Sequence, residues 1–276
     1  MKEFAFDQSL LCHANNLTQK DRTANTDARR ALLAKVEAAY KSLLQKLDYE
    51  SIAKGDFENG IRALDDYVRV VKDVEQADSF FNWRSDFASS VIPEFIYRGF
   101  HYTLVAKGIE PLFATRDSVV ELTLSGTAEG GWNVRHKNQD LVIGLRREKV
   151  DQDGTEKSFV VPVEAFEVKT NIDINKLNGL NFSAERLKRT FPGARYCIIT
   201  ETIDFSLQDN YAAGSIDEIY VLRKQVRSEA RRSKAPLCSD VFAQLFSDTV
   251  GLMILAGGKR GHVYERLTTG KLIHGI

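Results

Sequence analysis

The stretch Val163-Glu164-Ala165-Phe166-Glu167-Val168-Lys169-Thr170 sets two glutamates and a lysine in an otherwise apolar run. A strand buried against a core is expected to be Val, Ile and Phe throughout, and a charge placed there costs several kcal/mol unless it is paired or coordinated. Side chains alternate along a strand, so Glu167 and Lys169 share one face while Glu164, Phe166 and Val168 share the other. Upstream, NQDLVIG (138–144) places Asp140 at the start of a strand that a hairpin would bring against the first. Two carboxylates and an ammonium then meet on one side of a sheet.

That set suits phosphodiester hydrolysis. The hard oxygens of Asp140 and Glu167 match Mg²⁺, which keeps some of its waters and takes a phosphate oxygen as a further ligand. The backbone carbonyl of Val168 lies between them and could complete the metal shell. Lys169 would orient or deprotonate the attacking water and balance charge in the transition state. The residues alone leave a plainer reading open, in which Glu167 and Lys169 form an ion pair at a sheet edge.

Working outward, the runs SVVELTLSG, DLVIGLR, SFVVPVEAFEVK, ARYCIITET and DEIYVLR read as strands separated by Gly, Asp and Asn. NFSAERLKRTFPG between the third and fourth reads as a short helix, with Ser183 near its start and Pro192-Gly193 at its end. The expected core is therefore α/β with a mixed sheet flanked by helices. Before it, Leu32, Leu33, Val36, Tyr40, Leu43, Leu44 and Leu47 form an amphipathic stripe, and Ile61, Leu64, Val68 and Val71 form a second. A third helix is expected from Pro93 to a stop at Gly108. The division expected is a helical region over 1–110 packed on a core over 111–276 that also carries the DNA-binding elements.

Composition bounds the function. The 276 residues, 43% hydrophobic, are enough for a substantial core. Lys plus Arg equals Asp plus Glu, 38 against 38, so any electrostatic function must come from local clusters. Cys12, Cys197 and Cys238 are far apart and read as reduced thiols, which points to a cytoplasmic protein. His13, His101, His136, His262 and His274 show no zinc-ligand spacing. The start MKEFAFDQSL lacks a signal-peptide core, and the apolar run at 250–257 is too short to span a bilayer, so no membrane role is expected.

The arrangement of Asp140 with Glu167-Val168-Lys169 resembles the PD-(D/E)xK nucleases. Longer stretches resemble the subunits of heterodimeric restriction endonucleases of the BbvCI type: FNWRSDFASSVIPEFIYR (81–98), EVKTNIDINKLNGLNFSAERLKRT (167–190), ITETIDF (199–205), IDEIYVLRKQVR (216–227) and GHVYERL (261–267). Gln139 stands where the motif's name has proline. The resemblance implies a PD-(D/E)xK nuclease-like fold and a Mg²⁺-dependent type II restriction subunit acting on double-stranded DNA. It further implies a related, non-identical partner subunit, a short asymmetric site of the form CCTNAGC, and one strand cut per subunit. It also makes Glu94, in the first turn of the third helix, a candidate helix carboxylate beside the metal, against plain complementation of a helix dipole.

Two basic clusters are candidates for DNA contact. Arg186, Lys188 and Arg189 could meet backbone phosphate near the cut, or form a solvated helix face. Arg223, Lys224, Gln225 and Arg227, continuing to Arg231, Arg232 and Lys234, form the densest basic run, capable of phosphate or guanine-edge hydrogen bonds. Asn82, Trp83 and Arg84 form a further polar and aromatic group. Two other functions stay open: a homodimeric or repair nuclease with the same triad, and a silent DNA-binding subunit. A silent subunit would be expected to have lost one of Asp140, Glu167 and Lys169, and all three are present.

Overall fold

The first hundred residues fold as helices because their apolar positions recur at helical spacing. In the computed structural model, which describes residues 6–82, 86–109, 112–124, 132–150, 156–208, 211, 214–257, 268 and 270, a 3₁₀ turn at Gln8–Leu10 precedes seven helices among the described residues. These are α1 (Cys12–Thr23), α2 (Asp27–Lys46), α3 (Tyr49–Ala53), α4 (Glu58–Ala77), α5 (Ser79–Asn82), α6 (Asp86–Ser89) and α7 (Val91–Lys107). The two expected stripes lie on α2 and α4, where Leu33, Val36 and Leu43, and Ile61, Leu64, Val68 and Val71, are buried. Thr26 caps α2 by accepting from Arg29 N–H. Helix α7 starts two residues before Pro93, which then sits in a first turn whose N–H groups need no intrahelical partner. It stops where expected, because Gly108 adopts the left-handed conformation (φ 59°) and its N–H closes on Leu104 and Val105 carbonyls.

The sheet runs β1 (Leu112–Leu124), β2 (Trp132–Val150), β3 (Glu156–Asp173), β4 (Arg195–Asp204) and β5 (Glu218–Val226), in that spatial order. The first three strands are antiparallel, and β3, β4 and β5 are parallel, so the sheet is mixed. Parallel neighbours need a crossover, and α8 (Ile174–Thr190) supplies it between β3 and β4. This helix begins at Ile174, nine residues before the expected start near Ser183. Asp173 is the reason: its carboxylate accepts from Lys176 N–H and caps the first turn, so the Asn- and Gly-containing segment that reads as loop is helical. Helices α9 (Arg227–Arg232) and α10 (Ser239–Gly257) follow β5. Trp83, Arg84 and the stretch 261–267 lie outside the described residues.

Strand alternation divides the core. Leu141, Ile143, Phe166, Val168, Ile199 and Leu222 face the N-terminal helices and α10, whereas Val142, Ala165, Tyr196 and Ile198 face α8 through Leu177, Leu180, Ala184 and Leu187. Over Ser239–Ala256, α10 is long and apolar enough to cross a bilayer by length and composition. Here it packs as a core helix through Phe242, Leu245, Phe246 and Met253. Gly99 of α7 permits that packing, since a Cβ there would sit 2.6 Å from the Phe246 ring.

Charge also holds the layers together. Arg223 of β5 is only 2% exposed and donates to Glu201 of β4 at 2.8 Å while facing Asp65 of α4 at 2.8 Å. The expectation that Arg223 contacts DNA is therefore corrected, because its guanidinium is spent inside the protein. The cause is a bulge: Thr200 pairs with Val221 but Thr202 with Gln225, and Lys224 takes a positive φ of 50° in the extra length. Burial alone would raise the Glu201 carboxyl, but Lys72, Lys234 and Arg223 outweigh it and hold it at about 2. Its stabilising contribution is thus complete above the unfolded carboxyl value near 4.5 and is lost as pH falls from there toward 2. Replacing Arg223 by Ala removes the one cation that bridges Asp65 and Glu201 and leaves a buried cavity between them, and should cost about 3 kcal/mol in urea unfolding. Acid unfolding of Glu201→Gln should be less steep than wild type across that same pH window.

Candidate active site

Asp140 lies where three residues of β2, 139 to 141, stand against one of β1, Arg116. The irregularity lets Asp140 and Lys137, whose spacing of three would oppose them on a regular strand, both reach the Glu167–Lys169 pair, Asp140 through Lys169 and Lys137 through Glu167. One Asp140 oxygen accepts Val168 N–H at 2.7 Å and the Lys169 ammonium at 2.9 Å. Lys169 also donates to Glu167 at 3.0 Å, and the other Glu167 oxygen accepts from Lys137 at 3.0 Å and from the Tyr196 hydroxyl at 3.3 Å. Asp140, Glu167 and Lys169 are thus brought together as the sequence places them. Val168 turns its side chain into the core.

Burial would raise the Glu167 carboxyl, but Lys169 and Lys137 more than offset it and hold it below its usual range. Burial would lower the Lys169 ammonium, and Glu167 and Asp140 hold it above its usual range instead. The lysine is a cation here, suited to orienting and stabilising negative charge. Among the described residues no group of three His, Cys, Asp or Glu side chains gathers as a metal cluster. Two carboxylates converging on one cation do fit Mg²⁺, which commonly takes one or two carboxylates and fills its shell with water and phosphate oxygen.

Glu94 is elsewhere. It is 2% exposed, accepts the His13 and Ala14 N–H groups at 2.8 and 2.9 Å, accepts from the Tyr40 hydroxyl, and pairs with Arg98 at 3.0 Å. It caps the start of α1 from a neighbouring helix, so its expected place beside the metal is corrected: the positive end of α1 and Arg98 hold it. The helix carboxylate that does face the site is Glu75 of α4. With Lys72, Asn82, Asp140, Lys169 and Lys176 it lines a cleft of about 640 Å³. Burial raises its carboxyl, and Ala88 N–H anchors it at 2.9 Å. Glu75 continues the apolar stripe of α4 one turn past Val71, and a carboxylate on the buried side was the signal to follow.

Lys176, at the start of α8, reaches the cleft, whereas Arg186 and Lys188 lie about 15 and 18 Å further along the axis at 1.5 Å per residue. Arg186 pairs with Glu121 and Lys188 with Asp217, while exposed Arg189 pairs with Glu185 on its own helix. None of these three lines the cleft that Asp140 and Lys169 share. Gln225 clamps the following loop, donating to Ser233 O and accepting from Ala235 N–H. Lys224 and Arg227 are exposed in pairs with Asp240 and Asp204. Glu164, on the opposite face from the triad, is fully buried and paired with Arg195 at 3.4 Å; burial pushes its carboxyl up to about 7 against the pull of Arg195.

A mixed five-stranded sheet flanked by helices, with two acids and a lysine on adjoining strands, defines a PD-(D/E)xK-like nuclease fold. The chain belongs to the Bpu10I restriction endonuclease family, whose model matches residues 85–237. It is a type II site-specific deoxyribonuclease. Among solved structures it is similar, at 36% identity and a TM-score of 0.69, to a chain of a native BbvCI A2B2 tetramer, covering 98% of this chain and 100% of that one. Among curated proteins none matches it.

Glu94→Ala should destabilise the fold by about 1–3 kcal/mol or more, since it leaves Arg98 and two helix N–H groups unpaired. Variant that remains folded should cleave DNA at near wild-type rate; a loss of cleavage with an unchanged melting curve would return Glu94 to the active site.

Proposed function

We propose that this chain is a Mg²⁺-dependent strand-cutting subunit that works with a related, non-identical partner on a short asymmetric site of the form CCTNAGC. The observation that carries the catalytic part is the convergence of Asp140 and Glu167 on one cation, the Lys169 ammonium, beside a cleft that Asp140 and Lys169 line. The two-subunit part is supported by the similarity to a chain from an A2B2 tetramer. A cytoplasmic location accords with the free thiols Cys12, Cys197 and Cys238.

Asp140, Glu167 and the Val168 carbonyl would hold the metal, and Glu75, which lines the same cleft, would be the helix carboxylate near them in place of Glu94. Bound Mg²⁺ supplies a Lewis acid for the phosphate oxygen and lowers the pKa of a coordinated water. Asp140 is kept in register by Val168 N–H, so its free oxygen is aimed without reorganisation. Lys137 and Tyr196 restrain Glu167 from behind. Lys169, held as an ammonium, orients the attacking water and stabilises charge growing on the phosphate. Exposed Lys224, Arg227 and Arg189 sit in surface pairs worth little, which exchange readily for backbone phosphate.

Asp140→Asn or Glu167→Gln should reduce cleavage on the order of a hundredfold or more while DNA binding persists. Ca²⁺ should support binding without efficient cutting. Near wild-type cutting by either variant in Mg²⁺ would sink the assignment.

A supercoiled plasmid separates the subunit readings. Assembled with an intact partner, Lys169→Ala should still find the site and cut the other strand, leaving a nicked circle. Double-strand cleavage by that complex would remove Lys169 from catalysis, and loss of both cuts with binding retained would mean that the two sites are coupled. Linearisation by the wild-type chain alone would favour the homodimeric or repair nuclease. A wild-type assembly that binds and never cuts through this chain would favour the silent subunit.

A further inference from the structure

Beside the cleft, charge is out of balance. Asp65 of α4 faces Arg223 at 2.8 Å and Arg69 at 2.7 Å. Glu201 of β4 accepts from Arg223 at 2.8 Å on one oxygen, with Lys234 at 3.1 Å on that same oxygen, and from Lys72 on the other. Arg223 and Arg69 already match the two carboxylates. Lys72 and Lys234 are in excess, and Glu75, a turn along α4 from Lys72, offsets one of them.

The surplus reaches solvent through the lysines. Arg223, Asp65 and Glu201 side chains are at most 4% exposed, whereas those of Lys72 and Lys234 are 25% and 40% exposed. Lys72 lines the same cleft as Asp140 and Lys169. Burial lowers the Lys234 ammonium to about 8, with the nearby charges of Lys72 and Arg223 acting against the pull of Glu201. Two ammonium groups drawn onto one carboxylate, itself already bonded to an arginine, leave donors that a further anion would satisfy. Glu201 thereby presets their direction, sparing the rotamer entropy that a free lysine loses on binding. The segment Arg231-Arg232-Ser233-Lys234, the tail of the densest basic run, reaches through its last residue the same Glu201 carboxylate that holds the cleft residue Lys72.

We propose that Lys72 and Lys234, both held on the Glu201 carboxylate, form a clamp for a DNA backbone phosphate beside the cut. The inference rests on the DNA-cutting function above. A phosphate placed there bonds to both ammonium groups without breaking the Arg223 pairs, so the fold is unaffected by occupancy. The clamp fixes the position of the strand and carries no sequence information.

The test is the salt dependence of duplex binding by the assembled enzyme in Ca²⁺, with cognate and scrambled duplexes. Each phosphate contact contributes about 0.9 to the slope of log K against log salt. Because the two lysines share one phosphate, Lys72→Gln and Lys234→Gln should each flatten the slope by part of that amount and the double variant by about all of it, both duplexes should weaken alike, and Lys72→Arg should keep most of the slope. If Lys72→Gln does not fold, the more exposed Lys234→Gln carries the measurement. Unchanged slopes in folded variants would overturn the clamp and leave the lysines as neutralisers of Glu201. Loss of discrimination at one base pair would overturn it in favour of base reading. Wild-type protein that neither binds nor cuts would fail the functional reading itself, whereas wild-type cutting with unchanged variant slopes fails only the clamp.

Discussion

One Asp140 oxygen carries two bonds, from the Val168 N–H and the Lys169 ammonium, and the arrangement of the site depends on it. The first bond ties β2 to β3 next to the Leu141–Phe166 pair, where β2 is irregular against its other neighbour β1. The second fixes where the lysine points. Because Lys169 also reaches Glu167, a backbone hydrogen bond on one strand sets the separation of two carboxylates on two strands. A site built this way needs the bulge in β2 as much as it needs the acids. In a regular ladder Lys137 would face away from Glu167, and burial would raise that carboxyl with one cation fewer to oppose it.

The charges in the apolar stretch that begins at Val163 have separate explanations. Alternation sends Glu167 and Lys169 toward the cleft and Glu164 toward the opposite core face. There Glu164 meets Arg195 on the neighbouring strand, and its raised carboxyl shows that the pairing does not fully offset burial. Period-two alternation was enough to separate these roles from the sequence. It was not enough for Arg223, whose side chain is aimed inward by extra residues in β5 that no hydrophobic pattern announces.

The same contrast runs through the helices. The α2 and α4 stripes were legible because their buried positions are apolar at regular spacing, and α7 ended at Gly108 for a stereochemical reason visible in the residue type. Helix α1 has only His13 and Leu17 buried, so it offered no stripe to follow. The start of α8 was hidden because Asn175, Asn178 and Gly179 argue for loop, while the deciding interaction is a single Asp173 cap. Glu94 was legible as a first-turn acid, but the helix it serves is α1 and not its own. Which carboxylate faces the cleft depends on how α4 and α7 sit on the sheet, and that is tertiary information.

This packing also changes what the N-terminal helices are for. The hydrophobic cluster runs without a break from α2 and α4 through α7 to the sheet, so the helices share a core with the strands that carry the triad. Helix α4 then contributes to both layers: Val68 and Val71 are buried in the core, and Lys72 and Glu75, on the adjoining face, line the cleft. Asp65, two turns earlier on that helix, anchors Arg223 of β5. The position of α4 is therefore fixed by apolar burial along its length and by a buried ion pair to the far strand of the sheet. Cleft residues mounted on an element restrained in both ways keep their place relative to Asp140 and Lys169 without contacting them directly, which is what a site needs if phosphate is to be held in one orientation for in-line attack.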